Sequence, residues 1–367
     1  MYMKLKFKNI LLTSLLFHLL CFSVFADEAG IKPKIYCNLP LTGAHATYGQ
    51  AVYEGTKLAN LDFKDEAINY NFADNESLPK QALSVFRSQM LDKPDIYISG
   101  VKPEHLAYKD LLVKENIPHF AWVFDINLRP VGEPNFRTWV NFKIEPAVII
   151  DYTKRSKAKT VTIIGGDLPT YHEEYDKFII PGLKEQEIEI KSHIIYPIDK
   201  TEFRDIATKV KQTNTDLYIL AGFQENLMGL LKAMNQLNII KDGNTIATYD
   251  LLDAAPYLHP RFTEGVRVVS PRFLLTNNSE YNDWKKRFKE LFNKEPLYSH
   301  AYAYDMALAL REAIRIKSKN SGISWESALM QVDTEGITGK VKFDNTGDLA
   351  YELAVGVYRN GKLSLDY

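Results

Sequence analysis

The chain is poor in cysteine, with two in 367 residues, which excludes a disulfide framework as the source of its stability. It lacks a charge excess of either sign. Against 46 acidic side chains stand 45 basic ones, for a formal net charge of −1. No global positive field therefore exists to hold nucleic acid by its phosphates. Glycine, at 19 residues, is too sparse for a collagen repeat. Repeats of solenoid period and low-complexity linkers are missing. Beyond the amino terminus no run reaches the ~18 apolar residues of a membrane helix. What the chain does have is core-building material. Hydrophobic residues make up 46% and aromatics 12%, which excludes disorder. Its length makes two domains the leading expectation.

The first 26 residues read as a separate object. Lys4, Lys6 and Lys8 precede an uncharged, mostly apolar run from Ile10 to Phe25, which ends in Val24-Phe25-Ala26 before Asp27-Glu28. This is the order of a secretory signal peptide, with cleavage expected after Ala26. The run is short for a ~30 Å hydrocarbon core, which argues against a permanent anchor. Leu20 stands where a lipoprotein site at Cys21 needs a small residue. The segment carries three lysines and no acid, so its removal leaves 341 residues at net charge −4. Cys37 is then the sole thiol, and an exported chain with one cysteine must be held by its core.

Downstream, β-rich runs alternate with helical patterns. The runs fall at Lys34–Leu39, Ala67–Phe72, Asp95–Ser99, His119–Val123 and Thr160–Ile164. They continue at Ile188–Tyr196, Leu217–Leu220, Thr245–Thr248 and Val266–Val269. Most are rich in Ile, Val, Tyr or Phe and bounded by Gly, Pro, Asn or Asp. Between them, Val52, Gly55, Ala59 and Phe63 mark one helical face, and Ala82, Phe86 and Met90 another. Strand–helix alternation predicts an α/β fold with parallel sheets covered on both faces. The strands are too many for one small sheet, so two αβ halves are expected, over about 31–142 and from about 145 onward. The run Lys154–Lys159 reads as a solvated helix end. A helical block at Tyr281–Phe292 and Ala301–Lys317 follows, then a β-rich tail with Asn360-Gly361 as a hairpin turn.

The search for catalytic chemistry is nearly empty. There is no phosphate loop, and Gly165-Gly166 lacks the spacing of a dinucleotide fingerprint. There is no Gly-x-Ser-x-Gly elbow. The eight histidines are scattered, without a zinc-ligand pair. In His172-Glu173-Glu174 the three side chains diverge around a helix, so a metal site is not expected there. No enzyme activity, cofactor or metal is therefore expected. The informative segment is Leu39-Pro40-Leu41-Thr42-Gly43-Ala44-His45-Ala46-Thr47-Tyr48-Gly49-Gln50, the loop after the first strand. In parallel sheets such loops face the ligand crevice, and a helix start suits an anionic group. A plain β–α connection explains the segment equally well.

Pro-Leu-Thr-Gly-x-x-Ala-x-Tyr-Gly at 40–49, with Gly55 and Leu58-Ala59, resembles the opening of the substrate-binding proteins of branched-chain amino acid ABC transporters. Asp74 and Pro79-Lys80-Gln81-Ala82 resemble that family's second strand end and helix start. Thr160–Ile164 followed by Tyr171 resembles the opening of its second lobe, with His172 in place of glycine. Asp216-Leu217-Tyr218-Ile219 with Gly222-Phe223, and His300–Asp305, match further elements. Gly336–Asp344 with Gly347-Asp348 is similar to its C-terminal signature. The resemblance implies the type I periplasmic binding protein fold, with two Rossmann-like lobes joined by three hinge crossings. Lobe one would take 27–141 and 273–341, and lobe two 142–272 and 342–367. A small-molecule ligand would be sealed between them by hinge closure and presented to a membrane permease. A monomer located in the periplasm is the family expectation.

Ligand chemistry departs from those relatives. Where family members use Ser and backbone N–H against a carboxylate, this chain reads Gly100-Val101-Lys102-Pro103-Glu104-His105. After the fourth strand it reads Phe120-Ala121-Trp122-Val123-Phe124-Asp125. A buried carboxylate without hydrogen bonds is costly, so a free amino acid held in the usual way is not expected. Asp250 matches the acid that the family sets against a ligand ammonium. Tyr48, Trp122, Tyr171 and Phe223 would face the crevice and suit a flat or amine-bearing ligand. Lys102, Glu104, His105, Ala121 and Gln224 complete the candidate site. The alternatives are a ligand sensor, or a protein-partner module such as a cell-wall synthase activator, with the same fold.

Overall fold

The computed structural model describes residues 31–122, 136–140, 144–349 and 351–366. The expected signal peptide and the Val123-Phe124-Asp125 part of the fourth-strand loop lie outside the described residues.

The first sheet has four parallel strands in the order β2-β1-β3-β4. These are β1 (Ile35–Leu39), β2 (Tyr70–Asp74), β3 (Ile96–Gly100) and β4 (His119–Trp122). Every residue of β3 and β4 is buried. Helices cover both faces, so these strands read as continuous runs rather than alternations. Cys37 in β1 is fully buried, and burial pushes its thiol pKa well up. The covering helices are α1 (Ala46–Phe63), α2 (Pro79–Met90), short α3 (Lys102–Leu106) and α4 (Lys109–Glu115). Helix α1 buries Val52, Gly55, Ala59 and Phe63, the face its periodicity marks.

The second sheet has seven strands in the order β13-β12-β9-β8-β7-β5-β6. The chain enters it through α5 (Ile144–Arg155), then β5 (Thr160–Gly166) and α6 (Pro169–Glu174). A π-helical turn at Tyr175–Ile179 leads into α7 (Ile180–Glu185). There follow β6 (Glu189–Tyr196), α8 (Arg204–Thr213), β7 (Leu217–Ala221), α9 (Gln224–Gln236), β8 (Thr245–Ala247), α10 (Leu251–Ala254) and β9 (Arg267–Pro271). Strands β5 to β9 pair in parallel.

The chain then leaves this sheet. Helix α11 (Ser279–Phe292) precedes α12 (Tyr298–Lys319), which lies along α1. Helix α13 (Trp325–Met330) and the hairpin of β10 (Asp333–Gly336) and β11 (Gly339–Lys342) follow. Trp284, Phe288 and Tyr302 are buried there, each worth about 1.5–3 kcal/mol of burial. The chain finally returns to the second sheet as β12 (Leu353–Arg359), antiparallel to β9, and β13 (Lys362–Leu365), antiparallel to β12. Asn360 and Gly361 join them with φ of 51° and 73°, as a tight hairpin turn requires.

The passages between sheets are laced together. Arg137 N donates to Gly347 O at 2.9 Å, and Leu349 N donates to Arg137 O at 3.1 Å. The Arg137 guanidinium meets Asp348 at 2.8 Å with only 3% exposure. Arg272 N donates to Glu352 O at 2.9 Å. The described residues thus form two αβ lobes with parallel sheets, connected by crossings that hydrogen-bond one another.

Candidate functional site

On the first lobe, the loop after β1 is held by a single acid. Asp74 accepts from Leu41 N at 2.9 Å, Thr42 N at 3.2 Å and the Thr42 hydroxyl at 2.6 Å. Ser77 Oγ donates to Thr42 O at 2.8 Å and accepts from His45 N at 3.0 Å. His45 Nδ1 then lies 2.8 Å from Glu104 Oε1, which ties this loop to α3. The bond to Glu104 holds the His45 pKa above its usual value, against the effect of burial. Glu104 is fully buried, and its other oxygen has no partner. Lys102 is half-buried at the start of α3.

His105 belongs to the lobe's interior. It is 1% exposed, lies 3.0 Å from the Ser99 hydroxyl and stacks on His119 at 5.6 Å. Burial, then Lys109, pushes its pKa down to about 4, so the ring is neutral. The Ser99–His105 contact resembles a nucleophile–base pair, but both residues are sealed in the core. Ala121 is likewise buried within β4. Trp122, at the end of β4, packs on Trp139 with ring centroids 4.9 Å apart. Trp139 also meets Tyr48 edge-on at 5.9 Å and Tyr298 at 5.5 Å.

On the second lobe, Asp250 stands just before the short helix α10, beyond the carboxyl end of β8, and makes no side-chain capping hydrogen bond. Its Oδ2 accepts from the Tyr171 hydroxyl at 3.2 Å and the Thr248 hydroxyl at 3.0 Å. Its Oδ1 has no partner among the described residues. Burial pushes its pKa up to about 6, against those two hydrogen bonds. Phe223, 46% exposed, meets Tyr171 edge-on at 5.9 Å. Gln224 Nε2 donates to Asp253 O at 3.0 Å. Asp253 is pushed up to about 7, first by burial and then by Asp250, against the Tyr298 hydroxyl beside it.

The two lobes meet over this patch. Tyr249 and Tyr298 bring rings from opposite lobes to 6.3 Å. Burial raises the Tyr48 pKa, with further contributions from Asp253, Asp250 and Glu225 across the crevice. Ring contacts join Tyr48 and Trp122 through Trp139 on one lobe, and Tyr171 touches both Phe223 and Asp250 on the other, with Gln224 tied to the Asp253 backbone. Ala121 and His105 are buried in the first lobe, and Lys102 and Glu104 lie on α3. Sequence reasoning missed Asp253, Trp139 and Tyr298. Asp253 stands three residues from Asp250, one turn along the same helix, and that spacing was readable. Trp139 and Tyr298 gave no signal beyond being aromatic.

Two lobes with acids and rings at the strand ends define a bilobed binding protein of the type I periplasmic fold. The family model "Periplasmic binding protein" matches residues 34–362, and the chain belongs to that family. Among solved structures it is similar to the branched-chain amino acid transporter substrate-binding protein LivJ of Streptococcus pneumoniae, in complex with isoleucine. The identity is 19% and the TM-score 0.75, covering 92% of this chain and 99% of that one. The leucine-binding protein LivK of Thermotoga maritima gives 19% and 0.75, over 91% and 98%. A solute-binding protein of Rhodopseudomonas palustris in complex with benzoate gives 17% and 0.74, over 91% and 95%. No curated protein matches the chain by sequence. Among the described residues no helix is long and apolar enough to cross a membrane. No group of three His, Cys, Asp or Glu among them is placed to hold a metal ion.

Proposed function

We propose that this protein is the solute receptor of an ABC importer, exported by its leader to the periplasm. It captures a small amine-bearing or aromatic ligand between its lobes and delivers it to a membrane permease. The observation that carries this reading is Asp250. One of its oxygens is fixed by Tyr171 and Thr248 and the other makes no hydrogen bond among the described residues, beside the Tyr171 ring that Phe223 meets edge-on. A carboxylate with one free oxygen is an acceptor for an ammonium group, and aromatic faces add cation–π attraction. Helix α3, without a hydroxyl over Lys102–His105, offers little to a ligand carboxylate. Closure follows from differential affinity, because only the closed form surrounds the ligand with both lobes.

Isothermal titration against amino acids, amines and aromatic acids tests this. An amine or aromatic ligand is expected to bind, and Asp250→Ala to weaken the amine about 100-fold, or ~3 kcal/mol. Tight leucine binding indifferent to Asp250→Ala, or no binding by any solute, overturns it.

A further inference from the structure

Lobe one buries an acid of its own beside the loop after β1. Glu104, in the first turn of α3, is fully buried, and its Oε1 lies 2.8 Å from Nδ1 of His45. Its Oε2 is sealed from water and has no hydrogen-bond partner. A buried carboxylate with one bare oxygen is costly unless a charged partner offsets it. Among the described residues, His45 is the one group within ion-pair distance. The His45 side chain keeps 35% exposure, so protons reach it from solvent.

His45 stands where it passes this contact on. It immediately precedes α1 and makes no side-chain capping bond there. Its N donates to Ser77 Oγ at 3.0 Å, and its O accepts from Tyr48 N at 3.1 Å. Tyr48, in the first turn of α1, meets Trp139 edge-on at 5.9 Å. Glu104, His45, Tyr48 and Trp139 are thus linked contact by contact, from α3 through the start of α1 to the first passage between sheets.

The titratable groups around the pair come from three sides. Helix α3 adds Lys102 at its start and His105, which is bonded to Ser99. Helix α4 follows Tyr108, whose phenol feels Glu104, and carries Lys109, which acts on His105. Beyond β2, Asp74 is taken up by Leu41, Thr42 and the N of Glu76. Glu104 alone favours the charged form of His45, and burial opposes it.

We propose that Glu104 is a positioning residue for the capture site. By pairing with the His45 imidazolium it locks the loop after β1 onto α3 and sets Tyr48 against Trp139, so the lobe-one wall is firm in mild acid and loosens in mild base. This rests on the two-lobe capture reading above and adds a proton dependence to it. His45 holds its proton above the ordinary histidine value. The lock is therefore fully present below about pH 6.5 and is lost as pH rises through the raised value. With the imidazole neutral, the buried carboxylate has lost its counter-charge.

The test follows the unliganded protein between pH 5.5 and 8.5 by NMR of its histidine side chains and by tryptophan fluorescence. The His45 signal is the one missing from His45→Gln. It is expected to titrate above about 6.5, and the emission is expected to step with the same midpoint. Glu104→Gln keeps the side-chain shape and is expected to return His45 toward its ordinary value and to abolish the step, as His45→Gln also does. Titration with 2-phenylethylamine compares the two folded forms at pH 6.5 and pH 8, where any effect of Asp250 is common to both. Wild type is expected to bind about fivefold tighter than Glu104→Gln at pH 6.5 and within about twofold of it at pH 8. A His45 that titrates at or below the ordinary value, or a fluorescence step that survives Glu104→Gln, overturns the lock. So does an equal loss of affinity at both pH values, which marks a role in folding alone. Each of these leaves the receptor reading intact. If the NMR and fluorescence steps appear and neither form binds the amine, the lock stands and the amine-receptor reading falls.

Discussion

Asp250 and Asp253 carry a stability cost that pH reveals. Their folded pKa values, about 6 and about 7, lie above the ordinary value, with burial as the first cause. The folded state therefore holds protons that the unfolded chain has already lost, and stability falls as pH rises through those values. The thermal midpoint of the unliganded protein is expected to rise as pH is lowered from 8 to 6.5, with Asp253→Asn flattening the rise. A differential scanning fluorimetry series would record it, and a midpoint unchanged by the substitution would refute the assignment. Below pH 6.5 the sign is opposed by His105, whose neutral form is favoured by burial, so that stability tied to it is lost as pH falls toward 4. Asp250 was legible in the sequence because it stands at a resembled position. The His45–Glu104 contact was not, because it depends on the packing of the loop after β1 against α3, which no local spacing encodes. His105 shows the reverse failure. Its loop position pointed outward, but Ser99 and His119 draw it into the core.

Among the elements, periodicity found the strands and helices, while side chains bonded to backbone set where they start. The second strand was expected from Ala67 and begins at Tyr70. Asn60 takes both backbone groups of Ile68, donating to its O at 2.8 Å and accepting from its N at 2.9 Å. A backbone bonded to a side chain is withheld from the ladder. Asn360-Gly361 was readable because its turn chemistry is local. Gly165 was visible only as half of a glycine pair, and its role came from the Tyr175 ring packed against it, whose hydroxyl would lie 1.7 Å from a Cβ there. Gly165→Ala is expected to displace that ring at a cost of at least ~2 kcal/mol. Urea unfolding checks this, and an unchanged midpoint would show that the π-helical turn yields freely.

For the whole molecule, strand–helix alternation was enough for two αβ lobes, since each parallel sheet needs helices on both faces. Periodicity did not reveal how the crossings bond to one another, because Arg137 and Asp348 are distant in the chain. That pair links the first passage between sheets to the third at a nearly sealed position. Removing Asp348 takes one partner from a guanidinium that is nearly sealed from water. Asp348→Ala is expected to cost about 2 kcal/mol, with the 18% exposure of Asp348 moderating the loss. Denaturant titration of both forms measures it, and equal stability would mean that the crossing does not depend on this contact.

The route of the chain has one more consequence. The segment after α12 supplies α13 and the β10–β11 hairpin, then β12 and β13 of the far sheet. Trp325 Nε1 anchors it by donating to Asp95 Oδ1 at 3.0 Å, and β12 anchors it through β9. A single nick in the exposed turn at Asn320–Ser321 would thus create two fragments that each own part of both halves. They would stay interlocked without any covalent link, like clasped hands, and the molecule would come apart only as a unit.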